Sequence, residues 1–361
     1  MNKTLHPYST AKQDSTLVTV AQLAEFDEVI DVRSEAEFAE DHVPGAVNCP
    51  VLDNTERARI GTIYKQVSAF DAKKIGAALV SRNIARHLEA NFADRPRGWR
   101  PLIYCWRGGS RSGALAHVLQ QVGWRVGRLD GGYKAYRRAV IADLDERPLQ
   151  FKWRVICGLT GSGKSRLLRA LAQRGSQVLD LEALAAHRGS VLGNLPGAPQ
   201  PSQKMFESLV WAELRKFDAA QPVWVEAESK KIGSARVPEA LIASMWSGEC
   251  IRLEASVALR VAMLTGEYQH FVADPALLGT QLDCLVAHYG RERIGAWKTL
   301  AATGEWDTLV RELLENHYDP AYTRSTLKHY PRHAEGMRLE VTADSDAAFA
   351  QLAARCLARA G

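Results

Sequence analysis

Paired cysteines are missing from this chain. Six cysteines occur, at 49, 105, 157, 250, 284 and 356, and no two form a C-x-x-C pair. That spacing argues against a zinc site or a disulfide framework and for a reducing compartment, the cytoplasm. Long apolar runs are missing too. None approaches the roughly 18 residues a membrane-spanning helix needs, so no membrane partner is expected. Met1 to Asp14 is polar and lacks the apolar core of a secretory signal. There is no internal repeat and no low-complexity tract. Acidic residues are scarce in one region. Residues 91–174 hold 17 Lys/Arg and 5 Asp/Glu, a local charge of +12 in a chain whose net charge is +5. A basic region of this kind suits a polyanion such as nucleic acid. The remaining composition, 46% hydrophobic and 24% charged over 361 residues, is that of ordinary globular protein with room for two domains.

The reactive-looking stretch is Tyr104-Cys-Trp-Arg-Gly-Gly-Ser-Arg-Ser-Gly113. The apolar run Pro101–Tyr104 reads as a short buried strand, and a helical pattern begins near Ala114. Cys105 then stands where backbone N–H groups converge between a strand's end and a helix's start. Those dipoles, with Arg107 and Arg111, favour thiolate over thiol. Gly108 and Gly109 allow the tight curvature. Trp106 and Ser110 complete the active-site loop. A lone cysteine is more often a buried core residue, but the glycines and arginines here turn the reading towards a nucleophile. The spacing Cys105 to Arg111, C-x5-R, is also that of cysteine-dependent phosphatases. A phosphatase therefore stands as a weaker alternative, weakened by the lack of an evident general acid.

A second loop follows the strand Phe151–Cys157. Gly158-Leu-Thr-Gly-Ser-Gly-Lys-Ser165 is a full G-x4-G-K-[ST] match, with a helix expected from Arg166 to Arg174. Strand, loop and helix are the context this motif requires. Gly158, Thr160, Gly161, Ser162 and Gly163 form a phosphate cradle, Lys164 reaches the terminal phosphates, and Ser165 is placed for Mg²⁺. Asp180, at the end of the strand Gln177–Leu181, and Glu226 and Glu228, at the end of Gln221–Ser229, are candidates for acid/base work or for holding Mg²⁺. An equal alternative is that such a carboxylate caps the next helix. No residue set fixes a metal with certainty. His187-Arg-Gly-Ser190 and Lys230-Lys231 are basic clusters near the expected anion. From Ser256 onward the pattern is largely helical, broken late by Asp319-Pro-Ala-Tyr322 and Arg324. Trp297, Trp306, Tyr318 and Tyr322 are expected to be core, with stacking on splayed RNA bases as the minority use.

Strand and helix alternate in both halves, which predicts parallel α/β sheets. The expected division is a first domain over 1–140, a linker over 141–150, and a P-loop α/β domain over 151–361 whose C-terminal part is helical. The first domain resembles the rhodanese family. The residues that carry this are Asp31-Val-Arg33 with Glu37-Phe38, His42-Val-Pro-Gly-Ala46 with Asn48, Cys105 in its loop, and Leu129-Asp-Gly-Gly-Tyr133. The resemblance implies that Cys105 carries a persulfide or its selenium counterpart and that Asp31 and Arg33 are structural. The Cys105 loop is one residue longer than that family's, an extra length expected to admit a chalcogen-bearing phosphate donor.

The order of the modules, with Leu181-Glu182, His187-Arg-Gly-Ser190, Gln200-Pro-Ser-Gln-Lys204 and Glu226-Ala-Glu-Ser-Lys-Lys-Ile-Gly233, resembles the tRNA 2-selenouridine synthase family. That resemblance implies replacement of sulfur by selenium in 2-thiouridine at the wobble position of tRNA. Selenophosphate would be the donor, supplied by a selenophosphate-producing enzyme. An S-geranyl-2-thiouridine intermediate would be made from geranyl diphosphate. The competing reading of the two motifs is a rhodanese-type sulfurtransferase fused to an ATP-dependent kinase. A non-enzymatic RNA-binding protein is disfavoured by the intact Cys105, Lys164 and Ser165.

Overall fold

The computed structural model describes residues 16–359, with the side chain of residue 327 excepted; the polar segment Met1 to Asp14 lies outside them. Contacts divide the chain into two units, 1–141 and 142–361.

The first unit is built on five parallel strands in the order β1-β5-β4-β2-β3. They are β1 (Thr16–Val18), β2 (Glu28–Asp31), β3 (Val47–Asn48), β4 (Pro101–Tyr104) and β5 (Gly127–Leu129). The helices are α1 (Glu35–Glu40), α2 (Asn54–Gln66), α3 (Ala69–His87), α4 (Ser110–Val122) and α5 (Gly132–Glu146). β4 lies between β5 and β2 and is buried along its whole length. Its reading as a continuous apolar run follows from being covered on both faces. The long helical stretch expected after Asn54 is the pair α2 and α3. Asp53 opens it with a reciprocal cap: Glu56 N–H donates to Asp53 at 2.7 Å and Asp53 N–H to Glu56 at 3.1 Å. Ile30, Val32, Ile103, Leu115, Leu119 and Trp124 form the core beneath the loop at the end of β4. The segment 141–150, expected as a connection, is helical: the end of α5, then a 3-10 turn over Arg147–Gln150.

The second unit has its own five parallel strands in the order β12-β11-β6-β8-β7. The strands are β6 (Trp153–Cys157), β7 (Gln177–Leu179), β8 (Val223–Glu226), β11 (Glu249–Ala255) and β12 (Met337–Val341), and β9 (Lys231–Ile232) with β10 (Ala235–Arg236) makes a small antiparallel hairpin. Helices α6 (Lys164–Ala172), α7 (Leu181–Leu184), α8 (Gln203–Leu214) and α9 (Glu239–Trp246) alternate with these strands. After β11 come α10 (Val257–Glu267), α11 (Gln269–Ala273), α12 (Pro275–Leu282), α13 (Val286–Ala302), α14 (Trp306–Leu313) and α15 (Asp319–His329); α16 (Asp346–Ala358) closes the described chain.

Two late features differ from the sequence reading. The helical C-terminal part contains an edge strand, β12, parallel to β11. Its five residues alternate, with Leu339 and Val341 buried and Arg338 and Glu340 exposed, a period-two signal too short to stand out. Asp319-Pro320 starts α15 instead of breaking a helix. Proline in a first turn loses no hydrogen bond, because that N–H has no partner in the helix.

Candidate active sites: a cysteine loop and a phosphate cradle

β4 delivers Cys105 to the C-terminal edge of the first sheet, and α4 begins five residues later. The thiol is buried, and its Sγ lies 3.3 Å from the Ser112 hydroxyl. Burial pushes the thiol up. Hydrogen bonds from the Ser112 hydroxyl and N–H and from the Arg107 N–H, with the charge of Arg111, outweigh it, so Cys105 is held below the ordinary thiol range. Arg111 is not free to act alone. It pairs with Glu37 at 2.8 Å, and although burial raises Glu37, Arg111 holds it as the anion. Glu37 therefore has no proton to lend at neutral pH, which removes it as the general acid of a phosphatase.

The loop's shape comes from Gly108, in the left-handed region at φ +68°, where an added Cβ would stand 2.8 Å from the Leu129 carbonyl. Gly132 approaches from the other side, and a Cβ there would run into the Cys105 carbonyl. The Asp130-Gly-Gly-Tyr133 motif is thus the wall against which the loop is seated. Gly109 does not share this role: its φ is −92° and an added Cβ would meet nothing within 4 Å. Trp106, Arg107 and Ser110 are exposed around the rim.

Asp31 and Arg33 are structural, buried and away from solvent. Arg33 makes bonds of 2.6–3.0 Å to the Asp31 carboxylate and one of 2.6 Å to the Asp41 carbonyl. Its guanidinium lies 4.0 Å from the centre of the Tyr133 ring. Asn48 ties the same corner, donating to the Asp31 and Arg33 carbonyls at 3.0 Å each.

In the second unit the phosphate motif joins β6 to α6, and Lys164 starts the helix. Lys164 Nζ donates to the Gly158 carbonyl at 3.0 Å. The Gly158 N–H donates to the Tyr322 hydroxyl at 2.6 Å, and Lys164 Nζ lies 5.5 Å from the centre of that ring. Ser162 is buried with its hydroxyl unpaired. Beneath the loop sits Arg260, also buried. It donates to the Thr160 carbonyl at 2.8 Å and, through both terminal nitrogens, to Asp319 at 2.9 and 2.6 Å. Helices α10 and α15 thus brace the loop through residues the sequence reading did not select as a site. Tyr322 was expected in the core and instead touches the first glycine of the motif.

Three carboxylates gather here: ligand atoms of Glu182, Glu226 and Glu228 lie within 4.8 Å of one another. Burial, then the neighbouring Glu226 and Glu228, pushes Glu182 up to about 10. Burial, then Glu226, pushes Glu228 up to about 8. Glu226 is raised by burial against the pull of Lys164 and a hydrogen bond to Ser165. One Glu226 oxygen, Oε1, is buried without a partner. Crowded carboxylates raised by burial, beside an unpaired oxygen and a motif serine, fit a divalent cation such as Mg²⁺. Gly189 leaves room for the cluster, since a Cβ there would stand 2.6 Å from Glu182 Oε1.

Asp180 is not part of the cluster. Its carboxylate caps α7, accepting from the Ala183 N–H at 2.9 Å. The basic clusters are also engaged elsewhere. His187 is buried, kept neutral by burial, and accepts from the Gly189 N–H at 3.1 Å. Arg188 pairs with Glu267 at 3.1 Å and Lys230 with Glu239 at 3.0 Å. The glutamines of Gln200-Pro-Ser-Gln-Lys204 hold the β9–β10 hairpin. Gln200 donates to the Ile232 carbonyl at 3.0 Å and Gln203 to the Arg236 carbonyl at 2.9 Å.

Thr160 has a further role that the sequence did not disclose. With Ser190 it lines a largely apolar cavity walled by Leu264, Phe271, Leu278 and Leu309 among others. Trp306 and Tyr318 line this space, whereas Trp297 is core. The walls come from α10, α11, α12 and α14, so no contiguous pattern encodes them.

Comparison with known proteins gives a consistent picture. Residues 16–139 match the rhodanese-like domain, and residues 151–281 match the model described as the tRNA 2-selenouridine synthase AAA domain. A tRNA 2-selenouridine synthase of Nitrosomonas europaea is 37% identical over 247 residues, 66% of this chain and 63% of that protein. One of Shewanella halifaxensis is 35% identical over 248 residues, 67% of this chain and 66% of that protein. The match thus spans a little under two thirds of the length of these relatives. Among solved structures, the N-terminal domain of a putative ATP/GTP binding protein from Clostridium difficile 630 is 38% identical, with a TM-score of 0.31, covering 35% of this chain and 98% of that one. The chain belongs to the family, with members named tRNA 2-selenouridine synthase, that joins a rhodanese-like domain to this P-loop domain.

Proposed function

We propose that the protein replaces sulfur by selenium in wobble 2-thiouridine of tRNA, using geranyl diphosphate and then selenophosphate. The observation that carries this reading is Thr160, which belongs both to the phosphate cradle and to the apolar cavity. A diphosphate with a hydrocarbon tail satisfies both surfaces. ATP would set a polar base and ribose against leucine and phenylalanine, leaving their polar groups unpaired. The loop around Cys105 supplies the second part, a thiol held towards its anion.

The chemistry balances without a redox partner. The thiocarbonyl sulfur of the base attacks C1 of the geranyl group, the C–O bond to diphosphate breaks, and the N3 proton is lost to water. Lys164 stabilises the charge that develops on the leaving diphosphate. Mg²⁺ held by Ser165, Glu226, Glu228 and Glu182 would add to that neutralisation. The Cys105 thiolate then attacks C2, and geranylthiol departs with one proton. Selenium of selenophosphate next displaces Cys105 from C2. Water takes the phosphoryl group as phosphate and returns the N3 proton. A perselenide on Cys105, the form that the rhodanese resemblance implies, would call for an oxidant as well, because selenium in selenophosphate is already reduced.

The reaction is placed in the cytoplasm, with selenophosphate drawn from an enzyme that makes it. The test is mass spectrometry of nucleosides from a 2-thiouridine tRNA incubated with the protein and both donors, each omitted in turn. S-geranyl-2-thiouridine without selenophosphate, and 2-selenouridine with both, is the expected result. Unchanged 2-thiouridine with a folded protein would overturn it and favour the sulfurtransferase–kinase alternative, for which ATP hydrolysis without tRNA is the sign.

A further inference from the structure

Nine tryptophans occur in the chain, and Trp106 alone among them is an exposed one, with 38% of its surface open. It directly follows the nucleophile. A single exposed apolar residue is ordinary on a protein surface. Three observations set this one apart.

First, the ring is fixed. Trp106 stacks on Tyr133 with centroids 5.2 Å apart and an interplanar angle of 28°. Tyr133 is itself held, its hydroxyl donating to Asp41 at 2.8 Å and its ring lying under the Arg33 guanidinium at 4.0 Å. Second, the backbone on both sides is tied down. The Tyr133 N–H donates to the Cys105 carbonyl at 2.8 Å and the Lys134 N–H to the Trp106 carbonyl at 3.1 Å. Third, the neighbours divide the labour. The Cys105 collar of N–H and hydroxyl groups serves a small anion, which gains nothing from an indole. The side chain of Arg107, next in sequence, is exposed and carries the charge a phosphodiester would meet.

We propose that the open face of Trp106 is a stacking platform for the nucleobase brought to Cys105, with Tyr133, Asp41 and Arg33 as the brace that holds it. The ligand class is a pyrimidine in single-stranded RNA. Every base offers a π-face, and aromatic side chains bind unstacked bases this way. Fixing the indole in advance removes most of the ordering cost of binding. The inference rests on the RNA substrate proposed above and deepens it by naming the surface that receives the base.

The experiment compares wild type, Trp106→Phe and Trp106→Ala in the full chain. The probe is a short RNA hairpin with 2-thiouridine in its loop. Binding is read by fluorescence anisotropy of the labelled hairpin, turnover by nucleoside mass spectrometry, and loop integrity by the rate of Cys105 alkylation. Trp106→Ala is expected to weaken hairpin binding and raise its KM by ~10-fold or more, the scale of one base stacked on an aromatic ring. Phenylalanine is expected to recover most of that loss. The KM for selenophosphate and the alkylation rate stay within about twofold. Hairpin affinity unchanged in Trp106→Ala overturns the proposal. So does a loss matched by an equal change in alkylation, which would make Trp106 loop packing. If wild type binds the hairpin through Trp106 but leaves 2-thiouridine unconverted, the platform stands and the selenium-exchange reading falls. If wild type does not bind the hairpin, both fall.

Discussion

The Cys105 loop and the Gly158–Ser165 loop use the same plan, a strand leading through glycines into a helix at the edge of a parallel sheet, and they treat charge in opposite ways. The first turns its hydroxyl and N–H groups onto its own sulfur, and the Arg111 charge beside it is matched by Glu37. The second leaves a buried hydroxyl unpaired, folds Lys164 back onto a carbonyl, and faces three carboxylates that burial pushes up. One loop makes an anion from a residue it owns. The other is shaped to receive an anion, with the cation that accompanies it. A buried arginine pair supports each: Arg33 with Asp31 in the first unit, Arg260 with Asp319 in the second.

The largest effects should separate the two loops by chemical step. Cys105→Ala is expected to lower 2-selenouridine formation by about 10³-fold or more, on the scale of losing a nucleophile, while S-geranyl-2-thiouridine accumulates. Lys164→Ala should leave 2-thiouridine unmodified. Nucleoside mass spectrometry of both variants reads this directly, and geranylation lost in the cysteine variant but kept in the lysine variant would reverse the assignment. Next come the arginine pairs. Replacing either arginine by methionine leaves its aspartate without a partner, a loss of about 3–5 kcal/mol where that carboxylate is fully buried. Arg33→Met should show the full effect, because Asp31 is entirely buried, and Arg260→Met less, because Asp319 is 23% exposed. Denaturant unfolding of each variant measures the order. Equal losses would mean that the comparison of the two pairs has no energetic content.

Both loops were legible in the sequence because each is a contiguous pattern whose residue types are set by backbone shape. What surrounds them was not. Tyr322 meets Gly158 from 164 residues away and Arg260 meets Thr160 from 100 residues away. The cavity is assembled from several helices, each of which reads only as amphipathic. Asp180 and Glu182 lie two residues apart in one turn, and which one faces the phosphate loop is decided by capping. Aspartate is a strong helix N-cap, and that preference was the available signal for assigning Asp180 to α7 and Glu182 to the cluster. Trp106 was visible as a loop residue, but its exposure and its brace depend on Asp41 and Tyr133 arriving from distant elements.

The pH dependence should split the two units. In the second, the folded state raises Glu182 to about 10 and Glu228 to about 8, both above an unfolded glutamate. The folded form therefore binds more protons than the unfolded one between those values. Its stability is full below the unfolded pKa and is lost as pH rises through the folded ones. Glu37 in the first unit is lowered, so its contribution is present above the unfolded pKa and lost as pH falls through the folded one. Unfolding of the second unit, followed by hydrogen exchange, should become easier from about pH 5 to pH 9. Adding Mg²⁺ should reverse this at the alkaline end, and Glu182→Gln should flatten it. A slope that Mg²⁺ leaves unchanged would argue against a cation among these carboxylates.

The smallest expected effect tests the first loop's claim to own its anion. Cys105 alkylation by iodoacetamide, followed by peptide mass spectrometry, should have its midpoint below that of an ordinary thiol, because only the thiolate reacts. Ser112→Ala removes a hydroxyl that holds the sulfur low, so the midpoint should move up while the fold is kept. Glu37→Gln should move it the other way. The charge of Arg111 is partly matched by Glu37, and removing that match strengthens its pull on the thiolate. Opposite displacements in the two variants would mark the loop as tuned from both sides. If both variants shift the midpoint upward, Glu37 serves the cysteine mainly by holding Arg111 in place, and orientation outweighs charge.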